Sequence, residues 1–229
     1  MKNEGTGPKR NLKGLVWIIG GLLLLAAALL LIGYNCLDAY LADKDAQYYA
    51  GILREDIQQY VSTGEPEDEF VPGNDQADRP MPVMMIGDEA YIGILEIPQY
   101  DLTLPVMEEW DYSKLKKAPC RYAGSYYAKN LVICGHNYAR HFSNVKRLPE
   151  GAALRFTAAD GIDYFYEVIR TETLKDTDVD RMVLQNSSTD WDLTLFTCTT
   201  GGKARAAVRC REVGQTTAPA PGTDTSAAY

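Results

Sequence analysis

Two residue types that are scarce in this chain stand where chemistry is easily done. Cys198 ends the alternating run "DLTLFTC" (Asp192 to Cys198), and His136, one of only two histidines, ends the stretch "NLVICGH" (Asn130 to His136). With a period of two, Leu193, Leu195 and Thr197 face one side of the first stretch, and Thr194, Phe196 and Cys198 face the other. A side chain at the mouth of a strand scaffold suits catalysis, and if the two strands are neighbours the thiol and the imidazole can meet. Beyond the turn "TTGG", Arg205 and Arg209 share one face of the following strand. Four residues of β structure span roughly 13 Å, so at most one of these arginines reaches Cys198. A thiolate nucleophile, an imidazole that hands over a proton and a permanent cation that steadies an oxyanion together make an acyl-transfer site. Taken singly, each has a plainer reading: packing or half a disulfide for Cys198, a loop histidine for His136, a solvated charge for either arginine.

The elements that must position these residues are short strands separated by turns. Tyr91 to Ile97, Leu102 to Met107, Asn130 to His136, Ala153 to Thr157, Asp163 to Leu174, Asp192 to Cys198 and Ala204 to Val213 carry strand patterns. Short helices are expected over Ser113 to Pro119 and His141 to Leu148. So many short strands in residues 81–213 predict a mainly β fold, a closed barrel or a sandwich rather than a parallel α/β sheet.

Around that domain the chain divides by composition. Residues 15–34, "LVWIIGGLLLLAAALLLIGY", carry no charge, and a helix of that length spans about 30 Å, the thickness of a bilayer's hydrocarbon. Lys2, Lys9, Arg10 and Lys13 precede it and Asp38, Asp43 and Asp45 follow, so the positive-inside rule puts residues 1–14 in the cytoplasm and the rest outside. A cleaved signal peptide is the competing reading, weakened by the apolar "LLLIG" that follows "AAA". Residues 35–62 have near-helical periodicity and predict a juxtamembrane helix. Residues 63–80, rich in Pro, Gly and acids, predict a spacer, and residues 214–229 a disordered tail.

The formal charge is −8, and it becomes −11 beyond the basic N-terminus, which disfavours nucleic acid as a partner. Cys36, Cys120, Cys134, Cys198 and Cys210 form no CxxC pair, so a zinc site and a dense disulfide framework both lose support. Cys120 and Cys134 can form a disulfide, or Cys134 can simply pack in the core. No cofactor or metal is expected.

"TLFTC" (Thr194 to Cys198) resembles the TLxTC signature of sortases, the membrane-anchored cysteine transpeptidases of Gram-positive surfaces. "YIGILEIPQYDLTLPVM" (Tyr91 to Met107) is similar to that family's opening strands, "LVICGHN" to its histidine segment and "RAAVR" (Arg205 to Arg209) to its arginine strand. The resemblance implies an eight-stranded sortase-type β-barrel with short helices behind an N-terminal transmembrane helix. It further implies His136, Cys198 and Arg205 as the catalytic set, with Arg209 as the second choice for the arginine, and substrate contacts from Thr194, Thr197 and Arg209. By the same resemblance the substrate is an LPxTG-like sorting signal, and the acceptor is an amine of a peptidoglycan precursor or a pilin lysine. The lack of a lid motif points to a class B-like or class D-like member. The alternatives are an L,D-transpeptidase-like acyltransferase and an anchored β-barrel that binds without catalysing.

Overall fold

The structure, a computed structural model, describes residues 12–63, 79–183, 190–199 and 201–217. Residues 1–11, most of the expected spacer and residues 218–229 of the expected tail lie outside these. The chain divides into two compact units, residues 1–40 and 41–229.

Helix α1 runs without interruption over Leu12–Thr63. The two helical segments expected separately are thus one helix, because "LIGYNCLDAY" contains no proline and only weak helix breakers. Within residues 15–32 its large apolar side chains, among them Trp17, Leu24 and Leu30, are exposed. It is the one helix among the described residues long and apolar enough to cross a membrane.

In the second unit the strands are β1 (Met84–Ile86), β2 (Glu89–Ile97), β3 (Leu102–Met107), β4 (Cys120–Ala123), β5 (Leu131–Cys134), β6 (Ala153–Ala158), β7 (Ile162–Lys175), β8 (Leu193–Cys198) and β9 (Ala204–Thr217). Short helices α2 (Tyr112–Leu115) and α3 (Val179–Val183) sit between them. The sheet runs β1-β2-β3-β4-β5-β8-β9-β7-β6, and the β6 edge pairs back onto β2. Gly93↔Ala158 through Glu96↔Arg155 close this ring of eight strands, with β1 added as a hairpin on the start of β2. Closure removes the exposed edges that an open sheet would carry.

Alternation along each strand sorts the apolar residues into two clusters. Leu95, Leu104, Val106, Leu131, Ile133, Leu193, Leu195 and Val208 belong to the larger one, which draws on β2, β3, β5, β6, β7, β8 and β9 and fills the ring. Tyr91, Ile94, Met107, Cys120, Val132, Cys134, Phe196 and Ala207 face the other way, and Leu53 and Ile57 of α1 join them. The buried stripe of α1 is Ala42, Ala46, Ala50, Leu53 and Ile57, spaced by four, four, three and four. Of the larger apolar residues that give this segment its periodicity, Leu41 and Tyr48 are exposed. Alanine, with no side chain beyond Cβ, lets the helix backbone approach the domain closely, which Leu or Tyr on that line would prevent.

The segment expected as a helix over His141 to Leu148 is instead a series of turns ending in a 3-10 turn at Val145–Arg147. Phe142, Val145 and Leu148 are all buried, and their spacing of three matches the 3-10 period rather than 3.6.

Candidate active site

Strands β5 and β8 run parallel and in register from Leu131↔Leu193 to Cys134↔Phe196. Just past the last pair, the Gly135 N–H donates to the Phe196 carbonyl at 3.0 Å. Continued by two residues, this register sets His136 level with Cys198 and, by alternation, on the same face as Cys134 and Phe196. On the other flank of β8, the antiparallel ladder with β9 ends at Cys198↔Arg205. Residues directly opposite in such a ladder have Cβ atoms roughly 4.5–5.5 Å apart. Cys198 thus stands between Arg205, its partner on β9, and the segment just past the end of β5 that carries His136, and these residues form the cysteine row.

Local chemistry explains how the two ends of the row are shaped. Gly135 has to be glycine because a Cβ there would overlap the ring of Phe142. Phe142 is buried under the loop, and its N–H donates to the His136 carbonyl at 3.1 Å. At the β8–β9 turn, Gly201 and Gly202 adopt φ of 90° and 74°, the left-handed conformations that only glycine takes at little cost. The turn brings β9 back tightly, with the Thr199 N–H donating to the Ala204 carbonyl at 2.9 Å. Arg205 Nη1 donates to the Gly202 carbonyl at 2.9 Å, which anchors one end of a guanidinium that has further N–H donors.

Cys198 is exposed, whereas Cys120, Cys134 and Cys210 are buried, and all are free thiols. Burial pushes the Cys120 thiol up to about 12, and it pushes Cys134 and Cys210 up as well. These three are kept as thiols and are inert. Cys120 and Cys134 are direct partners across the β4–β5 ladder, and both belong to the second apolar cluster.

Arg209 and Thr194 face each other in the β8–β9 ladder, each four residues along its strand from the cysteine row. Arg209 is 1% exposed. Its guanidinium donates to Glu172 at 2.7 Å, to Thr194 Oγ1 at 2.8 Å and to the Arg181 carbonyl at 2.6 Å, and it lies over the Trp191 ring. Burial pulls its pKa down and Glu172 opposes that shift. Thr197 points to the opposite face from Cys198, and its buried hydroxyl has no partner among the described residues. The structure thus sets exposed Cys198 opposite half-buried Arg205, with half-buried His136 just past the end of β5, and it pairs Thr194 with Arg209 further along the ladder.

Other residues beside the row carry no mark in the sequence pattern. Tyr138 stacks on His136 with ring centroids 4.0 Å apart and planes 5° apart, and it contacts His141 at 5.6 Å. His141 is fully buried, with Nε2 3.4 Å from the Ala42 carbonyl of α1. A carbonyl only accepts, so Nε2 carries the proton. Burial pulls the His141 pKa down, with the nearby His136 acting in the same direction and the Ala42 carbonyl and Asp43 opposing it. On the other side of the row, Phe196 meets Tyr122 edge-on at 5.2 Å, Tyr122 meets Trp110 at 5.8 Å, and Trp110 meets the exposed Tyr112 at 5.1 Å. This aromatic wall comes from β8, from β4 and from the segment before β4.

A pocket of about 230 Å³ lined by Arg54, Ile57, Ile94, Arg155, Thr157 and Asp163 takes none of its lining from the cysteine row. Among the described residues, no three of His, Cys, Asp and Glu are grouped so as to hold a metal ion.

A closed eight-stranded barrel with an exposed cysteine between a histidine and an arginine at its strand ends defines a recognisable class of β-barrel protein. A sortase-domain family model matches residues 95–213, just over half of the chain, and the chain belongs to the sortase family. That membership sets aside the L,D-transpeptidase alternative. The chain is similar to a Bacillus subtilis (strain 168) protein named Sortase D, 32% identical over 109 residues that make up 46% of this chain and 53% of the relative. It therefore spans about half the length of that curated relative. Among solved structures, sortase C of Streptococcus pneumoniae matches with a TM-score of 0.51 at 20% identity, covering 77% of this chain and 97% of the other. Sortase E1 of Streptomyces coelicolor, solved with a tripeptide in its active site, matches with a TM-score of 0.50 at 20% identity, covering 56% of this chain and 90% of the other. At these identities the two structures support the fold alone.

Proposed function

We propose that this protein is a membrane-anchored cysteine transpeptidase acting on an LPxTG-like sorting signal, with Cys198 as nucleophile. The observation that carries the reading is the row in which the one exposed cysteine of the barrel lies between His136 and Arg205. The Cys198 thiolate attacks the Thr carbonyl carbon, and Arg205 donates to the oxyanion that develops there. As the tetrahedral intermediate collapses, the Thr–Gly bond breaks, His136 gives its proton to the departing Gly amine, and a thioester remains on Cys198. An acceptor amine, from a peptidoglycan precursor or a pilin lysine, then attacks the thioester while His136 takes the amine's proton. The chemistry needs neither metal nor cofactor, and it predicts ping-pong kinetics.

The aromatic wall from Phe196 to Tyr112 offers apolar surface for the peptide beside the nucleophile. Thr194 and Arg209, buried and bonded to each other, we assign to holding β8, β9 and α3 together, and Thr197 to contributing its backbone. Of the class B-like and class D-like readings, the likeness to a relative named Sortase D favours the second.

Incubation of an LPxTG peptide library and candidate amines with the full chain, read by mass spectrometry, tests the reaction. Wild type should give both the amine-linked product and an acyl adduct on the Cys198 peptide, and Cys198→Ala should give neither. Cleavage that survives in Cys198→Ala would mean a different nucleophile, and no cleavage by wild type would leave the non-catalytic barrel. The anchor is tested separately, on intact cells, with a membrane-impermeant maleimide. Cys36, just past the apolar run and exposed, should label from outside; labelling only after the membrane is permeabilised would reverse the orientation.

A further inference from the structure

We propose that Tyr138 is a positioning residue for His136, presenting its ring face to the imidazole so that the imidazole stays aligned with Cys198. The inference rests on the transpeptidase reading only in giving that pair a reaction to perform. Three observations support it. The two rings are parallel within 5° at 4.0 Å, a geometry that holds the imidazole plane in one orientation and places an electron-rich face against the imidazolium formed when the thiol ionises. Tyr138 is itself held in place: its carbonyl accepts from the His141 and Ser143 N–H groups, each at 3.1 Å, and its ring rests on the fully buried His141. His141 in turn is pinned to the Ala42 carbonyl of α1, and the adjacent Arg140 pairs with Asp43 at 2.9 Å. The loop carrying His136 is therefore braced from behind by α1, and Tyr138 is the ring that passes the brace to the imidazole. Among the described residues, Tyr138 stacks on His136, with His141 beyond it.

The test uses the reactivity of Cys198 itself. Iodoacetamide forms an Sγ–CH2 bond with release of iodide, and only the thiolate reacts at an appreciable rate. Site-resolved mass spectrometry of the full chain in detergent follows Cys198, with Cys36 as exposed reference and buried Cys120, Cys134 and Cys210 as sentinels of folding. Tyr138→Leu is expected to slow Cys198 labelling about three- to fivefold, the worth of one aromatic–cation contact, and Tyr138→Phe to restore most of the rate. In a His136→Ala background, Tyr138→Leu should slow it no further, because the effect passes through the imidazole. Unchanged labelling in Tyr138→Leu, or equal slowing in both backgrounds, overturns the proposal. If the sentinel thiols label in Tyr138→Leu, Tyr138→Met replaces it under the same criteria. Iodoacetamide needs no sorting peptide, so the two ideas fail separately. Slowed labelling without any wild-type cleavage of LPxTG peptides removes the transpeptidase reading alone. Normal cleavage with unchanged labelling removes the positioning role alone.

Discussion

At the scale of single residues, the two arginines of β9 show how neighbours of the same type acquire different work. Arg205 stands opposite Cys198 and donates to the Gly202 and Ala204 carbonyls, whereas Arg209 is 1% exposed and bonded to Glu172, Thr194 and the Arg181 carbonyl. Arg205→Ala should therefore cost at least about a hundredfold in kcat/KM for peptide cleavage, as loss of an oxyanion donor does, with little change in melting temperature. Arg209→Met leaves Glu172 only its exposed partner Arg181 at 3.0 Å and takes the donor from the buried Thr194 hydroxyl. It should cost roughly 2 kcal/mol, a fall of about 4–8 °C in Tm, with cleavage by the remaining folded protein less affected than in Arg205→Ala. Parallel melts and single-turnover assays separate the two, and a swap of these phenotypes would reassign the row. Strand alternation alone places both arginines on one face and limits the reach to one. It does not say which, because the answer depends on how many residues the "TTGG" turn consumes before β9 pairs with β8.

At the scale of elements, the β6–β7 hairpin carries a charge it does not readily accommodate. Asp163 is 2% exposed, directly opposite Thr157, whose hydroxyl donates to it, with Arg155 at 3.8 Å. Burial raises its pKa; the Thr157 hydroxyl and Arg155 act against that rise, and nearby Glu96 adds to it. A carboxyl with a raised native pKa binds its proton more tightly folded than unfolded. Its stabilising contribution is therefore full below the ordinary carboxylate range, about pH 4, and declines as pH rises through the native value. Asp163→Asn should accordingly melt higher than wild type at pH 7.5 and equal to it at pH 4; a variant that melts lower at pH 7.5 contradicts the burial argument. The elements missed in the sequence share one trait, which is that their partners rather than their own pattern stabilise them. Strand β1 is three residues in a proline-flanked stretch, and β4 is the four residues "CRYA". Polar Gly214 to Thr217 extend β9 because the start of β7 pairs with them, from Phe165↔Gly214 to Ile162↔Thr217.

At the scale of the whole molecule, residues 41–63 of α1 belong to the same compact unit as the barrel. Ala46 packs into the larger apolar cluster, and Leu53 and Ile57 join the second one. A chain beginning at Met81 would uncover Tyr91 and Ile94. Full burial of each Leu or Ile is worth about 1.5–3 kcal/mol, so this chain should melt about 10 °C below one beginning at Leu41. Equal melting temperatures would mean the helix only rests on the barrel.

Local sequence carried the apolar run of residues 15–34, the mainly β class, and the occurrence of a cysteine and a histidine after apolar strand patterns with an arginine following. These are local properties, carried by residue type and by periods of two and 3.6. Only the tertiary structure decided the parallel pairing of β5 with β8, segments some sixty residues apart, which ends at Cys134 opposite Phe196, two residues before His136 and Cys198. It also decided that Arg205 rather than Arg209 faces the thiol, that a stripe of alanines seats the helix, and that Tyr138 backs the imidazole. Each depends on strand register or on the meeting of distant surfaces. A local pattern says which side chains share a face, but not which face of another element they will meet.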